Sequence, residues 1–137
     1  MAREFTGCYA VRLGAWQPPL HRDSAYHTPP DTVRLDSTTV SGPLNSSGFR
    51  LTPHIAVLTR HTVVPAHWRV FGPDSLELHW SSGFAGVSLY LRRVNATLRG
   101  HAEAFSDVIP VRVLPDGSKQ RVPWPAAPVV LERVECP

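Results

Sequence analysis

Alternation with a period of two residues recurs along this chain, and the 3.6-residue rhythm of an amphipathic helix does not. Leu76-Glu77-Leu78-His79-Trp80 puts the leucines and Trp80 on one face and Glu77 and His79 on the other. Val87, Leu89 and Leu91 oppose Ser88, Tyr90 and Arg92. Leu98, Gly100, Ala102 and Ala104 oppose Arg99, His101 and Glu103, and Thr32-Val33-Arg34-Leu35-Asp36 alternates in the same way. Successive side chains of a strand point to opposite sides, so these segments are half-buried strands with one wet face each. The predicted interior is Leu76, Leu78, Trp80, Val87, Leu89, Leu91 and Leu98.

Turn-forming residues fall between the alternating segments at the spacing of an antiparallel meander. Gly72-Pro73-Asp74-Ser75, Ser81-Ser82-Gly83 and Asn95-Ala96-Thr97 separate strands, and Asp116-Gly117 is a hairpin signal between Val111–Val113 and Lys119–Val122. Val129 to Val134 reads as a closing strand, and Tyr9–Leu13 as an opening one stopped by Gln17-Pro18-Pro19. Residues 17–31, with Pro18, Pro19, Pro29 and Pro30, form a long connection. Phe49–Thr52, Ile55–Leu58 and a stretch at Trp68 are further short strands. Fourteen prolines in 137 residues keep every element short. The expectation is one all-β domain over 1–137, a meander of eight to ten strands with no helix beyond a turn. The small-residue face of Leu98–Ala104 favours a barrel over a sandwich, and residues 1–7 read as a disordered or processed segment.

A net charge of +3, spread from Arg3 to Arg133, excludes the basic stripe of a typical nucleic-acid binder; Arg92-Arg93 with Arg99 is the densest patch and reads as a solvated strand face. No stretch approaches the ~20 apolar residues of a spanning helix, so membrane contact, if any, is peripheral. Cys8 and Cys136 stand at opposite ends of the chain, and in an oxidising compartment they predict one bridge from first strand to last. Thr6-Gly7-Cys8 also resembles the end of a bacterial lipoprotein lipobox, which implies a lipid on Cys8. The two readings exclude each other. Both place the protein in the periplasm or cell envelope; two unpaired thiols would place it in the cytoplasm.

The residues that carry chemistry form no recognisable constellation. Seven histidines include no His-x-His pair and no His-Glu-x-x-His, which leaves His54, His61 and His67 as a set that only the fold could bring together. There is no Gly-x-Ser-x-Gly elbow, and Glu77 and Glu103 are the acids to consider for glycoside chemistry. No glycine-rich phosphate loop precedes a helix. The expectation is a protein without catalytic residues, metal or cofactor. Asn45-Ser46-Ser47 and Asn95-Ala96-Thr97 match the glycosylation sequon and read as chance matches in turns.

The aromatic residues say more. Trp124, rigidly held between Pro123 and Pro125, is a candidate docking anchor, since aromatic side chains carry much interface energy. Trp16 is a second. Gly14-Ala15-Trp16 near the start of a short barrel resembles the lipocalin and wider calycin pattern. That resemblance implies a tryptophan closing one end of the barrel under an arginine from the last strand, for which Arg133 is the match. The chain departs from the pattern in running from Trp16 into Gln17-Pro18-Pro19 and in lacking a helix before the final strand. Two functions follow as expectations. One is an accessory protein that docks onto a larger, envelope- or membrane-associated assembly through its Pro/Trp-rich segments. The other, implied by the resemblance, is a carrier of a small apolar ligand inside the barrel.

Overall fold

The computed structural model describes residues 2–20, 28–40, 48–52, 66–82, 85–106 and 110–137. Among these residues a 3-10 turn, Ala2–Phe5, precedes ten strands: β1 (Gly7–Leu13), β2 (Thr32–Val40), β3 (Gly48–Thr52), β4 (His67–Val70), β5 (Ser75–Ser81), β6 (Ala85–Val94), β7 (Thr97–Ser106), β8 (Val111–Val113), β9 (Lys119–Arg121) and β10 (Ala126–Val134). Eight of them close into an antiparallel barrel in the order β1-β10-β7-β6-β5-β4-β3-β2, while β8 and β9 pair only with each other. Each barrel strand lies beside its sequence neighbour, the hairpin β8–β9 standing between β7 and β10. This is an up-and-down meander, consistent with the small barrel that the lipocalin resemblance implied. Closure leaves the barrel without an open sheet edge. The expected strand at Ile55–Leu58 lies outside the described residues, as does 21–27 of the proline-rich connection.

Register follows the alternation. Leu76, Leu78 and Trp80 of β5 stand opposite Leu91, Leu89 and Val87 of β6, and Leu89 and Val87 in turn face Ala102 and Ala104 of β7. These side chains fill the interior with Val33, Leu35, Leu51, Trp68 and Leu131, and Leu98 is buried with them. Trp68, Trp80, Leu78, Val87 and Leu89 are fully buried. Burying each such side chain contributes roughly 1.5–3 kcal/mol. The Trp68 indole N–H donates to the Asp36 carbonyl at 2.9 Å.

One expectation needs correction. The outer face of β5 and β6 is not wet along its length: Glu77 is 5% exposed and Ser88 2%, and His67 and Ser81 are buried beside them. Alternation in sequence reports which side a residue faces, not whether the outer side is covered. Residues 2–5 form the 3-10 turn with Phe5 buried in the core, and Arg133 donates to the Thr6 carbonyl.

The two ends of the barrel differ. One end carries the 3-10 turn, the start of β1 and the end of β10, tied by the Cys8–Cys136 disulfide with an S–S distance of 2.03 Å. That bridge occupies the sulfur that a lipid anchor would need. The other end gathers the close of β1, the start of β10 and the hairpin β8–β9.

Candidate docking surface

The segments that hold the docking residues predicted from sequence both lie at the hairpin end. Beyond β1, Gln17 forms an isolated antiparallel bridge with Ala126, the first residue of β10, through hydrogen bonds of 2.8 and 3.1 Å. This bridge brings the Trp16 segment beside the Pro123-Trp124-Pro125 segment. Gly14 N–H donates to the Pro128 carbonyl and Ala104 N–H to the Pro125 carbonyl, which fixes both segments to the barrel. Trp124 and Pro125 are half-buried and Pro123 is exposed. Trp16 is half-buried, packed against the core.

The hairpin next to them is missing from the sequence-based list of docking residues, although its turn was legible. Residues 111–113 and 115–121 are exposed. Val111 and Val113 are 49% and 65% exposed, which is unusual for β-branched residues in a strand. Their cross-strand partners are Arg121 and Lys119, so one face of the hairpin is valine and cation, while Arg112 and Gln120 share the other. Asp116 accepts from the Ser118 backbone N–H and hydroxyl, and these bonds hold its carboxyl below the usual range. The Asp-x-Ser turn therefore forms without help from the barrel. An exposed hairpin of strands this short is marginal alone. The clue that sequence did offer was Val111-Arg112-Val113 opposite Lys119-Gln120-Arg121, which lacks an apolar partner strand to bury the valines.

The opposite end is a lock. Arg133 of β10 lies with its guanidinium 5.0 Å from the Tyr9 ring centroid and donates to the Tyr9 hydroxyl at 2.7 Å. It also donates to the carbonyls of Thr6 and Glu4 at 2.8 and 3.0 Å, which clamps the 3-10 turn over the barrel. The pairing of Arg133 with Trp16 that the calycin resemblance implied is not formed: Arg133 packs on Tyr9, and Trp16 lies at the other end of the barrel. The reason is steric and local. Gly7, two residues before Tyr9, has φ 137°, and a Cβ there would sit 2.6 Å from Arg133 Nη1. The informative glycine–aromatic pair was Gly7 and Tyr9. A recess of about 280 Å³ at this end is lined by Glu4, Tyr9, Arg93, Thr97 and Arg133 among others. Its arginines are occupied, Arg93 by Glu4 and Asp74 at 3.1 and 3.2 Å.

The buried strip on the outer wall has the residue types of an active site without the geometry of one. His79 Nδ1 lies 2.8 Å from Ser88 Oγ and 3.7 Å from Glu77 Oε1, so both contacts fall on one ring nitrogen. A catalytic triad uses the two nitrogens separately. Ser88 is also buried, out of reach of a substrate. Burial lowers the His79 pKa to about 4, with the charges of His67 and Arg69 acting in the same sense. Glu77 does not offset this, because Arg69 already holds its carboxylate at 3.0 Å. Burial likewise raises the Tyr90 hydroxyl above its ordinary value. Glu103 lies across β6 from Glu77, 3.9 Å from His101. Among the described residues no group of three or more His, Cys, Asp or Glu could hold a metal ion; His54 and His61 lie outside them. No described helix is long and apolar enough to cross a membrane. Comparison with protein-family models, with curated proteins and with solved structures finds no match for this chain.

Proposed function

We propose that this protein is a non-catalytic accessory protein that docks onto a larger, envelope-associated protein assembly through its hairpin end. The observation that carries the reading is the hairpin β8–β9, which is exposed over almost its whole length and pairs with no barrel strand among the described residues. It stands directly before the Pro123-Trp124-Pro125 segment, and Val122 N–H donates to the Pro110 carbonyl at 3.0 Å at its base. A barrel that carries a basic, partly apolar arm directly before the half-buried Trp124 combines the aromatic and arginine side chains in which interfaces are enriched. The disulfide supports an oxidising compartment, the periplasm or cell envelope. The alternative, transport of a small apolar ligand, needs an apolar void of ~300 Å³ or more. The tight packing around Trp68, Trp80 and Leu78 favours docking over transport.

Photo-crosslinking tests this. A photoreactive residue at Val113 on the hairpin should yield one discrete adduct in the native host. The same residue at exposed Val94, in the barrel strand at the locked end, should yield none. Adducts from Val94 alone would move the interface to the other end.

A further inference from the structure

The backbone of the hairpin specifies how it is recognised. Leu114 N–H donates to the Ser118 carbonyl and Val122 N–H to that of Pro110, which makes 114/118 and 110/122 hydrogen-bonded pairs. Such pairs alternate with non-bonded ones along an antiparallel ladder. Val111/Arg121 and Val113/Lys119 are therefore non-bonded pairs, and their N–H and C=O groups point outward along the two edges of the hairpin. The barrel is closed and offers no other edge among its described strands. Outward-pointing amides of this kind are a template for a further strand.

We infer that the β9 edge, at Lys119 and Arg121, accepts an extended acidic strand from the docking partner. The inference rests on the docking reading and names the chemistry of that partner. Charge selects the edge and the occupant. Lys119 and Arg121 are two residues apart on one face, and among the described residues no carboxylate holds either. By contrast Arg12, Arg34, Arg50, Arg69 and Arg93 are each paired with one. A strand with carboxylates at alternate positions sets one acid beside each cation, and opposite charges directly across a ladder are favourable. A second copy of this chain is disfavoured, since pairing β9 with β9 sets Lys119 and Arg121 against themselves.

The test uses the full chain, isotopically labelled, and two capped peptides alternating valine with either glutamate or lysine. The glutamate peptide should shift the Lys119 and Arg121 amides and bind about tenfold or more tightly than the lysine peptide. The double variant K119E/R121E should reverse the preference. Equal binding of both peptides overturns the inference, as do shifts at Val111 and Val113 alone or on the barrel wall, and so does self-association through the hairpin. These outcomes leave the docking reading standing if Val113 still crosslinks to a partner. Loss of that crosslink, with the peptide result intact, sinks the docking reading instead.

Discussion

His79 shows how one residue couples burial to pH. Its ring stacks on Phe105 at 5.3 Å and sits 5.1 Å from the His67 ring, in a strip shielded from solvent. In the unfolded chain it titrates near 6.5, and in the fold at about 4. Between those values the unfolded state binds more protons, so stability rises with pH through this window and is lost as pH falls through it. The full difference corresponds to about 3 kcal/mol. Denaturant unfolding between pH 7 and 4 should show that decline, and His79→Gln should flatten it while lowering stability at neutral pH. An unchanged slope in the variant would assign the pH dependence to other groups. Sequence placed His79 correctly on the outer face of its strand. It could not show that the outer face is covered, because covering depends on contacts between segments distant in the chain. Trp80 makes a similar point: the alternation identified it as interior, but its buried indole N–H meets no hydrogen-bond partner among the described residues, which no local pattern reveals.

At the scale of elements, the meander from β5 to β7 was legible because hydrophobic alternation and turn residues agree there. Ser75 to Ser81, Ala85 to Val94 and Thr97 to Ser106 pair in the register that the alternation requires. The barrel ends were less legible. Gly14-Ala15-Trp16 drew attention as a motif, while the lock formed around Gly7 and Tyr9, where a glycine is needed for positive φ and close approach. The hairpin β8–β9 was visible as a turn but not as a free arm, since a sequence shows pairing partners better than it shows their absence. Its removal is a test at this scale. Pro110 and Val122 are hydrogen-bonded across its base, so residues 111–121 can be replaced by a two-glycine turn without stretching the chain. Because the arm's residues are nearly all exposed, the thermal midpoint should stay within a few degrees of the parent's. A large drop would show that the arm supports the barrel.

At the scale of the whole molecule, the described strands close around a packed set of inward side chains, with a lock at one end and an exposed hairpin at the other. The lock has two independent parts: the Arg133 clamp on Tyr9 and the 3-10 turn, and the Cys8–Cys136 bridge, which spans 128 residues of sequence. Closing so long a loop restricts the unfolded chain strongly. The double variant Cys8→Ser/Cys136→Ser should lose about 4–5 kcal/mol in chemical denaturation, by the chain-entropy account. A loss under about 1 kcal/mol would mean that the unfolded chain keeps its ends close even without the bridge.

The hairpin-replaced chain also gives the most direct test of the docking account. Tagged parent and variant would be recovered from the native host and sized in their native state. The account predicts that the parent migrates in a complex well above the 15.1 kDa of one chain, and that the variant keeps its circular-dichroism spectrum and disulfide but migrates as a single chain. A folded variant that remains in the same complex would contradict the claim that this end of the barrel is where the protein docks.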